Sequence, residues 1–436
     1  MTPVEGWKSK PLSGLLSLII DFRGKTPKKL GMEWGNGDIP ALSANNVGMG
    51  KIDFSKECYF GSDALYRKWM TKGDPQMGDV VLTTEAPLGN VAQIPDGRRY
   101  ILSQRTILLR ANDAELSSDY LRHYLTSDWF QNLMRQQSSG TTATGIQRAK
   151  LETLSVNFPI SKLEQARIAE ILSTMDRAIE HTEALITKQQ RIRTGLIQDL
   201  LTRGIDKHGD VRDEQTHEFK DSPLGRIPAE WTCKPLSHFV PSAEYGISTS
   251  LGELGIPVLR MNNFVGGDAD LSELKYTDKP VPEKLWLRWG DVLFNRTNSW
   301  EHVGRTGMWR NECERATFAS YLVRLDPDRS ILSPELLNIW LNWSKIQIEM
   351  RRFATPAVQQ VNINPTNLRK MPAAFPSSID EQAEIVAQIN NHTETLRKTR
   401  AVLKKLLSLK AGLMQDLLTG KKRVTTLLEP AFSLIK

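Results

Sequence analysis

The chain is written twice. Gly195-Leu-Ile-Gln-Asp-Leu-Leu-Thr202 recurs as Gly412-Leu-Met-Gln-Asp-Leu-Leu-Thr419, an offset of 217 positions (412 minus 195). The same offset carries Phe158-Pro159 onto Phe375-Pro376, Glu164-Gln165 onto Glu381-Gln382, Ile39-Pro40 onto Ile256-Pro257 and Asn45-Asn46 onto Asn262-Asn263. At slightly different offsets, Trp7 with Lys10-Pro-Leu-Ser13 matches Trp231 with Lys234-Pro-Leu-Ser237, and Gly78-Asp79-Val80 matches Gly290-Asp291-Val292. Chance supplies one or two such pairs, not a whole set in the same order. A repeat of this length predicts two copies of one folding unit rather than a single large core.

Each copy has two parts. The first, roughly 7–158 and 231–375, mixes short apolar runs with Gly, Pro and Asn punctuation. Ile39–Leu42, Asp79–Leu82 and Ile101–Leu109 read as strands, and Tyr120–Met134 and Pro334–Phe353 as helices. The second part is one long helix, opening at Ser161-Lys-Leu-Glu164 or Ser378-Ile-Asp-Glu381. Both openings fit the S-x-x-E capping box, in which serine and glutamate satisfy free N–H groups. Seam positions then alternate at spacings of four and three. They are Ile168, Leu172, Met175, Ile179, Thr182, Ile186, Gln189, Arg193, Leu196 and Leu200 in the first helix. In the second they are Ile385, Ile389, His392, Leu396, Thr399, Leu403, Leu406, Lys410, Leu413 and Leu417. Ile171, Leu185 and Ile192 are expected to widen the first seam, and Gly204 and Gly420 to end the helices.

At 1.5 Å per residue, a helix of about 40 residues reaches about 60 Å. A small domain cannot bury so long a stripe, so the two helices are expected to pair with each other as an antiparallel coiled coil. The fold class is therefore α+β: two mixed α/β domains separated by two long paired helices, with a pseudo-twofold internal repeat. The expected boundaries are domain 1 at 1–158, helix 1 at 159–204, a polar linker at 205–230, domain 2 at 231–375, helix 2 at 376–420 and a tail at 421–436. The linker reads as a solvated loop. The tail's Lys421-Lys-Arg423 is either a phosphate contact or a frayed basic end.

Composition narrows the class of function. Lys and Arg number 57 against 50 Asp and Glu, a formal net charge of +7, which permits a polyanionic partner without requiring one. Cys58, Cys233 and Cys313 are far apart and form no CxxC pair, so neither a disulfide framework nor a zinc knuckle is indicated. The seven histidines show no metal-ligand spacing. The N-terminus carries no signal pattern, and Leu15–Ile20 is far too short to span a bilayer. A soluble cytoplasmic protein with no membrane partner is expected.

A globular domain, a long helix, a second globular domain and a second long helix together resemble the specificity subunit of Type I restriction–modification systems. Several details carry the resemblance. They are Trp7 with Lys10-Pro-Leu12, Asp21-Phe-Arg-Gly-Lys-Thr-Pro27, Gly78-Asp-Val80, and Gly140-Thr-Thr-Ala-Thr-Gly-Ile146 running into Leu151 and Phe158-Pro159. The Glu-Gln helix starts, the Leu-Leu-Thr helix ends and Asp221-Ser-Pro-Leu-Gly-Arg-Ile-Pro-Ala-Glu-Trp231 complete it. The match covers nearly the whole chain. The resemblance implies a non-catalytic, sequence-specific DNA-binding subunit. Each target recognition domain would read one half of a bipartite, asymmetric site in double-stranded DNA, with the helices setting the gap and docking two modification (methyltransferase) subunits. It further implies restriction subunits as partners, with S-adenosylmethionine, ATP and magnesium held by partners and no cofactor in this chain.

Base edges are read by forked groups: Arg for guanine, Asn or Gln for adenine, acids for cytosine. Domain 1 offers Ser43, Asn45, Asn46, Thr84, Glu85, Gln147 and Arg148. Domain 2 offers Arg260, Asn262, Asn263, Arg296, Asn298, Gln359, Gln360 and Asn362. Arg260 and Arg296 stand out because they differ between the copies, although either could pair with a local carboxylate. The Asn-Asn pairs, present in both copies, are as well explained as turn caps. Arg23, Lys25, Lys28, Lys29 and Arg148 are candidate phosphate contacts or members of a solvated basic face.

Two other classes compete. Asp268, Asp270 and Glu273-Leu-Lys275 faintly resemble the acidic cluster of a metal-dependent nuclease, with no counterpart in the first half. A scaffold whose domains bind proteins is the other. Gly35-Asn-Gly37 and Gly48-Met-Gly50 are isolated GxG matches and read as turns.

Overall fold

The computed structural model describes residues 4–139, 144–356 and 360–427. It comprises two units, Met1–Glu183 with Ala401–Lys436 and Ala184–Arg400, so each unit owns half of each long helix.

In the first unit the strands are β1 (Trp7–Pro11), β2 (Leu16–Asp21), β3 (Ile39–Leu42), β4 (Tyr59–Gly61), β5 (Val80–Thr83), β6 (Val91–Gln93), β7 (Ile101–Leu102), β8 (Thr106–Ala111) and β9 (Ser155–Pro159). Its helices are α1 (Asp63–Trp69), α2 (Ser118–Leu125), α3 (Asp128–Gln137), α4 (Arg148–Thr153) and the start of α5 (Lys162–Thr202). An antiparallel sheet runs β2-β8-β5-β6, a smaller one runs β4-β3-β7 with β3 and β7 parallel, and β1 pairs with β9. Side chains alternate across a strand, which gives the four-stranded sheet two buried faces. Val80, Leu82, Ile107 and Leu109 pack under α2 and α3. Val81, Leu108 and Ile20 pack on the opposite face with Leu42, Trp69 and Ile101.

The second unit repeats this plan. Its strands are β10 (Phe219–Lys220), β11 (Ile227–Pro228), β12 (Thr232–Pro235), β13 (Ser242–Tyr245), β14 (Ile256–Leu259), β15 (Phe264–Val265), β16 (Asp268–Ala269) and β17 (Lys275–Thr277). They continue with β18 (Val292–Asn295), β19 (Thr297–Asn298), β20 (Thr306–Met308), β21 (Thr317–Phe318), β22 (Leu322–Asp326), β23 (Ala354–Pro356), β24 (Val361–Ile363) and β25 (Pro372–Phe375). The helices are α6 (Leu236–Phe239), α7 (Pro334–Asn342), α8 (Ser344–Met350), α9 (Pro365–Leu368) and α10 (Ile379–Leu418). The run β13-β22-β18-β20 reproduces β2-β8-β5-β6, β17-β14-β21 reproduces β4-β3-β7, and β12 with β25 reproduces β1 with β9. The short sheet β19-β24-β23 extends what are isolated bridges of Gly145 with Glu85 and Ser139 in the first unit, and β10 pairs with β11.

The long helices run antiparallel. In the first unit Ile168 and Leu172 share a core with Leu417, and Lys410 meets Asp176 at 2.6 Å. In the second, Leu200 shares a core with Ile385 and Ile389, and Arg193 Nε donates to Thr393 Oγ1 at 2.9 Å. Every seam position is buried or half-buried. Of the three residues expected to widen the seam, Ile171 packs partly on the core, while Leu185 and Ile192 remain 46% and 45% exposed.

Ser161 and Ser378 accept from the N–H groups of Glu164 and Glu381 at 3.4 and 3.3 Å, half of the expected capping box. The glutamates turn elsewhere. Glu164 takes a two-pronged bond from Arg423 at 2.6 and 2.7 Å, and Glu381 takes one from Arg212 at 2.5 and 3.1 Å. The following glutamines staple the helices to their domains. Gln165 accepts from Ser117 N and donates to Glu115 O and Pro159 O, and Gln382 accepts from Ser333 N and donates to Ile331 O and Pro376 O. These duplicated bonds explain the Glu-Gln motif. They also change the reading of two polar segments: Arg212 of the linker is buried against Glu381, and Arg423 of the tail pairs with Glu164.

Three elements differ from the sequence reading. Ser127 caps a new helix, splitting Tyr120–Met134 into α2 and α3. Pro334–Phe353 breaks at Trp343 into α7 and α8, followed by a 3₁₀ turn. Ile101–Leu109 is interrupted at Ser103-Gln104-Arg105, where Arg105 takes φ +69°.

Candidate nucleic-acid interface

In the first unit, β3 and β7 run parallel, so their C-terminal ends lie side by side. The register also sets the end of β2 (Asp21 opposite Ile107) and the end of β5 (Thr83 opposite Thr106) beside the start of β8. Polar loops therefore converge at one edge: 43–46, 84–87, 103–105 and 144–148. Ser43, Asn45, Lys56, Pro87, Asn90 and Arg105 line an open cleft of about 480 Å³ there.

Of the sequence candidates, Ser43 is half-buried and Asn45 exposed. Thr84 is buried, its hydroxyl donating to Arg105 O at 3.3 Å, and Glu85 forms an exposed ion pair with Arg105 at 3.3 Å. Glu85 also bridges Gly145, and Ile146 N donates to Thr84 O, which brings Gln147 and Arg148 to the same edge. Gln147 is exposed, and Arg148 bonds Glu152 at 2.5 Å. Residues 140–143 of the preceding loop lie outside the described residues.

Asn46 is turned inward. It is 0% exposed, accepts from Ser43 Oγ at 2.9 Å and donates to Asp53 O and Glu57 O. Asn263 repeats this at 1% exposure, accepting from Arg260 N at 2.9 Å and donating to Asp270 O and Glu273 O. The shared asparagine thus closes the same loop twice, while the preceding residues, Asn45 and Asn262, stay exposed.

The basic candidates near Gly24 are mostly engaged. Arg23 bonds Asp21 at 2.7 Å and donates to Ile146 O. Lys25 donates to Lys68 O and Trp69 O over the Phe22 ring, and desolvation pushes its pKa down, helped by Lys72. Lys29 donates to Gly24 O at 2.6 Å. Lys28 is exposed.

The same edge of the second unit carries other chemistry on the same backbone. Ile363 N donates to Arg296 O as Ile146 N does to Thr84 O, and Arg296 N donates to Tyr321 O as Thr84 N does to Arg105 O. Tyr245 stands opposite Val323 as Asp21 stands opposite Ile107. So Asp21, Ser43, Thr84 and Arg105 in one unit correspond to Tyr245, Arg260, Arg296 and Tyr321 in the other. Arg296 lies over the Tyr245 ring, 5.1 Å from its centroid. Arg260 donates through Nη2 to Glu273 O at 2.7 Å. Neither forms an ion pair with a carboxylate among the described residues. Asn298 Oδ1 accepts from Ser299 N, Asn362 is half-buried opposite Thr297, and Gln360 is exposed. Gln359 lies outside the described residues.

Sequence reasoning missed Gln104, Arg105, Tyr245 and Tyr321. The signal for the first two was the polar triplet Ser103-Gln-Arg105 inside an apolar run. The tyrosines gave none, since aromatic residues at strand ends read as core. The acidic cluster considered for a nuclease is dispersed: Lys275 pairs with Glu253, Asp268 with Arg310, and Asp270 accepts from Ser272 N. Among the described residues, no group of three or more His, Cys, Asp or Glu is placed to hold a metal ion. None of the described helices is long and apolar enough to cross a membrane.

The profile of the Type I restriction modification DNA specificity domain matches residues 4–189. That stretch resembles the Type I restriction specificity domain, and the chain as a whole is similar to Type I specificity subunits. The StySPI specificity subunit of Salmonella potsdam is 23% identical, over 98% of this chain and 94% of that one. A putative MjaX specificity subunit from Methanocaldococcus jannaschii is 28% identical over 46% of this chain, and that match spans about half of the relative, 48%. The fold matches the specificity subunit from M. genitalium with a TM-score of 0.55 at 15% identity, covering 94% of this chain and 96% of that one. A chain from a study of assembly and conformational transition in the type I system matches with a TM-score of 0.58 at 18% identity, covering 96% and 99%. The curated relatives are named specificity subunits of type I restriction enzymes.

Proposed function

We propose that each unit reads one half of a split, asymmetric site in double-stranded DNA, and that the paired helices hold the readers at a set separation while docking two modification subunits. The carrying observation is one loop frame built twice with unlike side chains, Asp21, Ser43, Thr84 and Arg105 against Tyr245, Arg260, Arg296 and Tyr321. A shared frame with diverged tips suits one docking geometry and two target sequences. The contacts divide into base readers on the converging loops and phosphate anchors such as Lys28 and Arg148. S-adenosylmethionine, ATP and magnesium would belong to the partner subunits, in the cytoplasm.

Sequencing of methylated adenines in cells carrying the gene with its modification partner tests this reading. A motif of two specified half-sites around an unspecified gap is expected. A continuous motif, or methylation unchanged when the gene is deleted, overturns it.

A further inference from the structure

Arg260 and Arg296 differ in what their guanidinium groups have left to offer. Arg260 already spends one terminal nitrogen on Glu273 O. Arg296 has no hydrogen bond or ion pair from its side chain among the described residues, and its Nε is buried without a partner. The guanidinium lies instead over the Tyr245 ring, itself 44% exposed at the strand edge. With Nε inside, the free fork is the terminal Nη1 and Nη2 pair. Stacking on an aromatic face fixes a guanidinium without using its donors. A preorganised fork of two parallel N–H donors matches one major-groove pattern, the O6 and N7 acceptors of guanine, and no acceptor pair on the other bases.

We infer that the half-site read by the second unit contains a guanine, bonded at O6 and N7 by the Arg296 fork held over Tyr245. The inference rests on the base-reading function proposed above. In the first unit Thr84 and Asp21 occupy these positions, so this contact has no counterpart there. Tyr245 acts as the positioning residue: it touches the guanidinium rather than the base.

Duplexes selected from a random pool by the full chain, sequenced for parent and variants, test the inference. The parent is expected to enrich two half-sites, one with an invariant G·C pair. Arg296→Ala should weaken binding to the selected duplex by ~10- to 100-fold and erase preference at that pair alone. Arg296→Gln keeps a planar fork but offers one donor and one acceptor, and should shift the pair toward A·T. Tyr245→Phe should keep the guanine preference, and Tyr245→Leu should weaken it, a split that a purely structural tyrosine would not give. A fold check by circular dichroism accompanies each variant, and Arg296→Gln decides if Arg296→Ala does not fold. Two specified half-sites with no invariant G·C pair in either of them, or no G·C pair whose preference changes in Arg296→Gln, sinks this inference and leaves base reading standing. No sequence enrichment at all sinks both.

Discussion

Asp176 on α5 and Lys410 on α10 meet at 2.6 Å, whereas the positions 217 residues away hold Thr393 and Arg193, joined by a single 2.9 Å bond from Arg193 Nε. The same carboxylate accepts from Arg122 of α2 at 2.9 Å, so one acid ties a domain helix to both long helices. Burial alone would raise the Asp176 pKa, but bonding and charge from Lys410, with Arg122, hold it below the usual carboxylate range. Asp176→Asn leaves two cations facing a neutral amide and should cost ~1.5–3 kcal/mol. Urea unfolding of the full chain measures it. Asp176→Thr combined with Lys410→Arg installs the second unit's pair and should unfold closer to the parent than Asp176→Thr alone.

His123 gives this junction a pH dependence. Desolvation, helped by the Arg122 charge, pushes its pKa down to about 3, and the ring lies within 2.9 Å of Ser173 Oγ. The ring is therefore neutral when folded but gains a proton below about pH 6.5 when unfolded. The unfolded state then binds more protons, so stability falls by up to about 1.4 kcal/mol per pH unit between pH 6.5 and pH 3. Asp176 acts in the same direction at lower pH. Melting of parent and His123→Asn across this range should show the steeper acid loss in the parent; parallel curves would reject the assignment.

The architecture was legible because it follows from periodicity. A seam kept through both copies left few alternatives to paired helices, and Ile168, Leu172, Leu196 and Leu200 lie where the spacing puts them. Breaks inside apolar runs were not legible. Ser127 and Trp343 divide helices whose hydrophobic pattern continues across the break, and Arg105 turns a strand that reads as unbroken. Side-chain partners were least legible: nothing local in Lys421-Lys-Arg423 distinguishes an exposed trio from one whose arginine reaches Glu164, 259 residues away. The candidate interface was half visible, because the loops follow recognisable strands but Tyr245 under Arg296 is a long-range placement.

Asn46 and Asn263 should behave as structural residues. Asn46→Ala strips partners from the carbonyls of Asp53 and Glu57, and Asn263→Ala from those of Asp270 and Glu273. Each should cost ~1–3 kcal/mol. Once compared at a temperature where the variants are folded, the selected DNA sequence should match the parent's. A changed base preference with unchanged stability would move these residues into the readout.

Glu85 should show the reverse. Its pair with Arg105 is exposed, so Glu85→Ala should change stability by less than about 1 kcal/mol. It also frees an arginine at the mouth of the first unit's cleft. Sequence selection should then change in one half-site only, the one that does not respond to Arg296.

Gly195 and Gly412 sit inside α5 and α10, where an added Cβ would meet nothing within 4 Å and neither residue takes a positive φ. Glycine there costs helix stability without any steric return, because its backbone loses more freedom on folding. Gly195→Ala and Gly412→Ala should each stabilise the chain by about 0.5–1 kcal/mol. Gly204 offers the contrast within the same stretch of chain. It takes φ +62°, and a Cβ there would lie 2.3 Å from Glu381 Oε1, 2.6 Å from Arg212 Nη1 and 2.7 Å from Trp231 Cζ2. Gly204→Ala must strain the backbone and push apart the bond that closes α10's start, so it should destabilise by ~1–3 kcal/mol. Calorimetric melting of the three variants should therefore give two midpoints above the parent and one below it. A lowered midpoint for Gly195→Ala would mean that α5 packs more tightly around that position than the open space at its Cα allows.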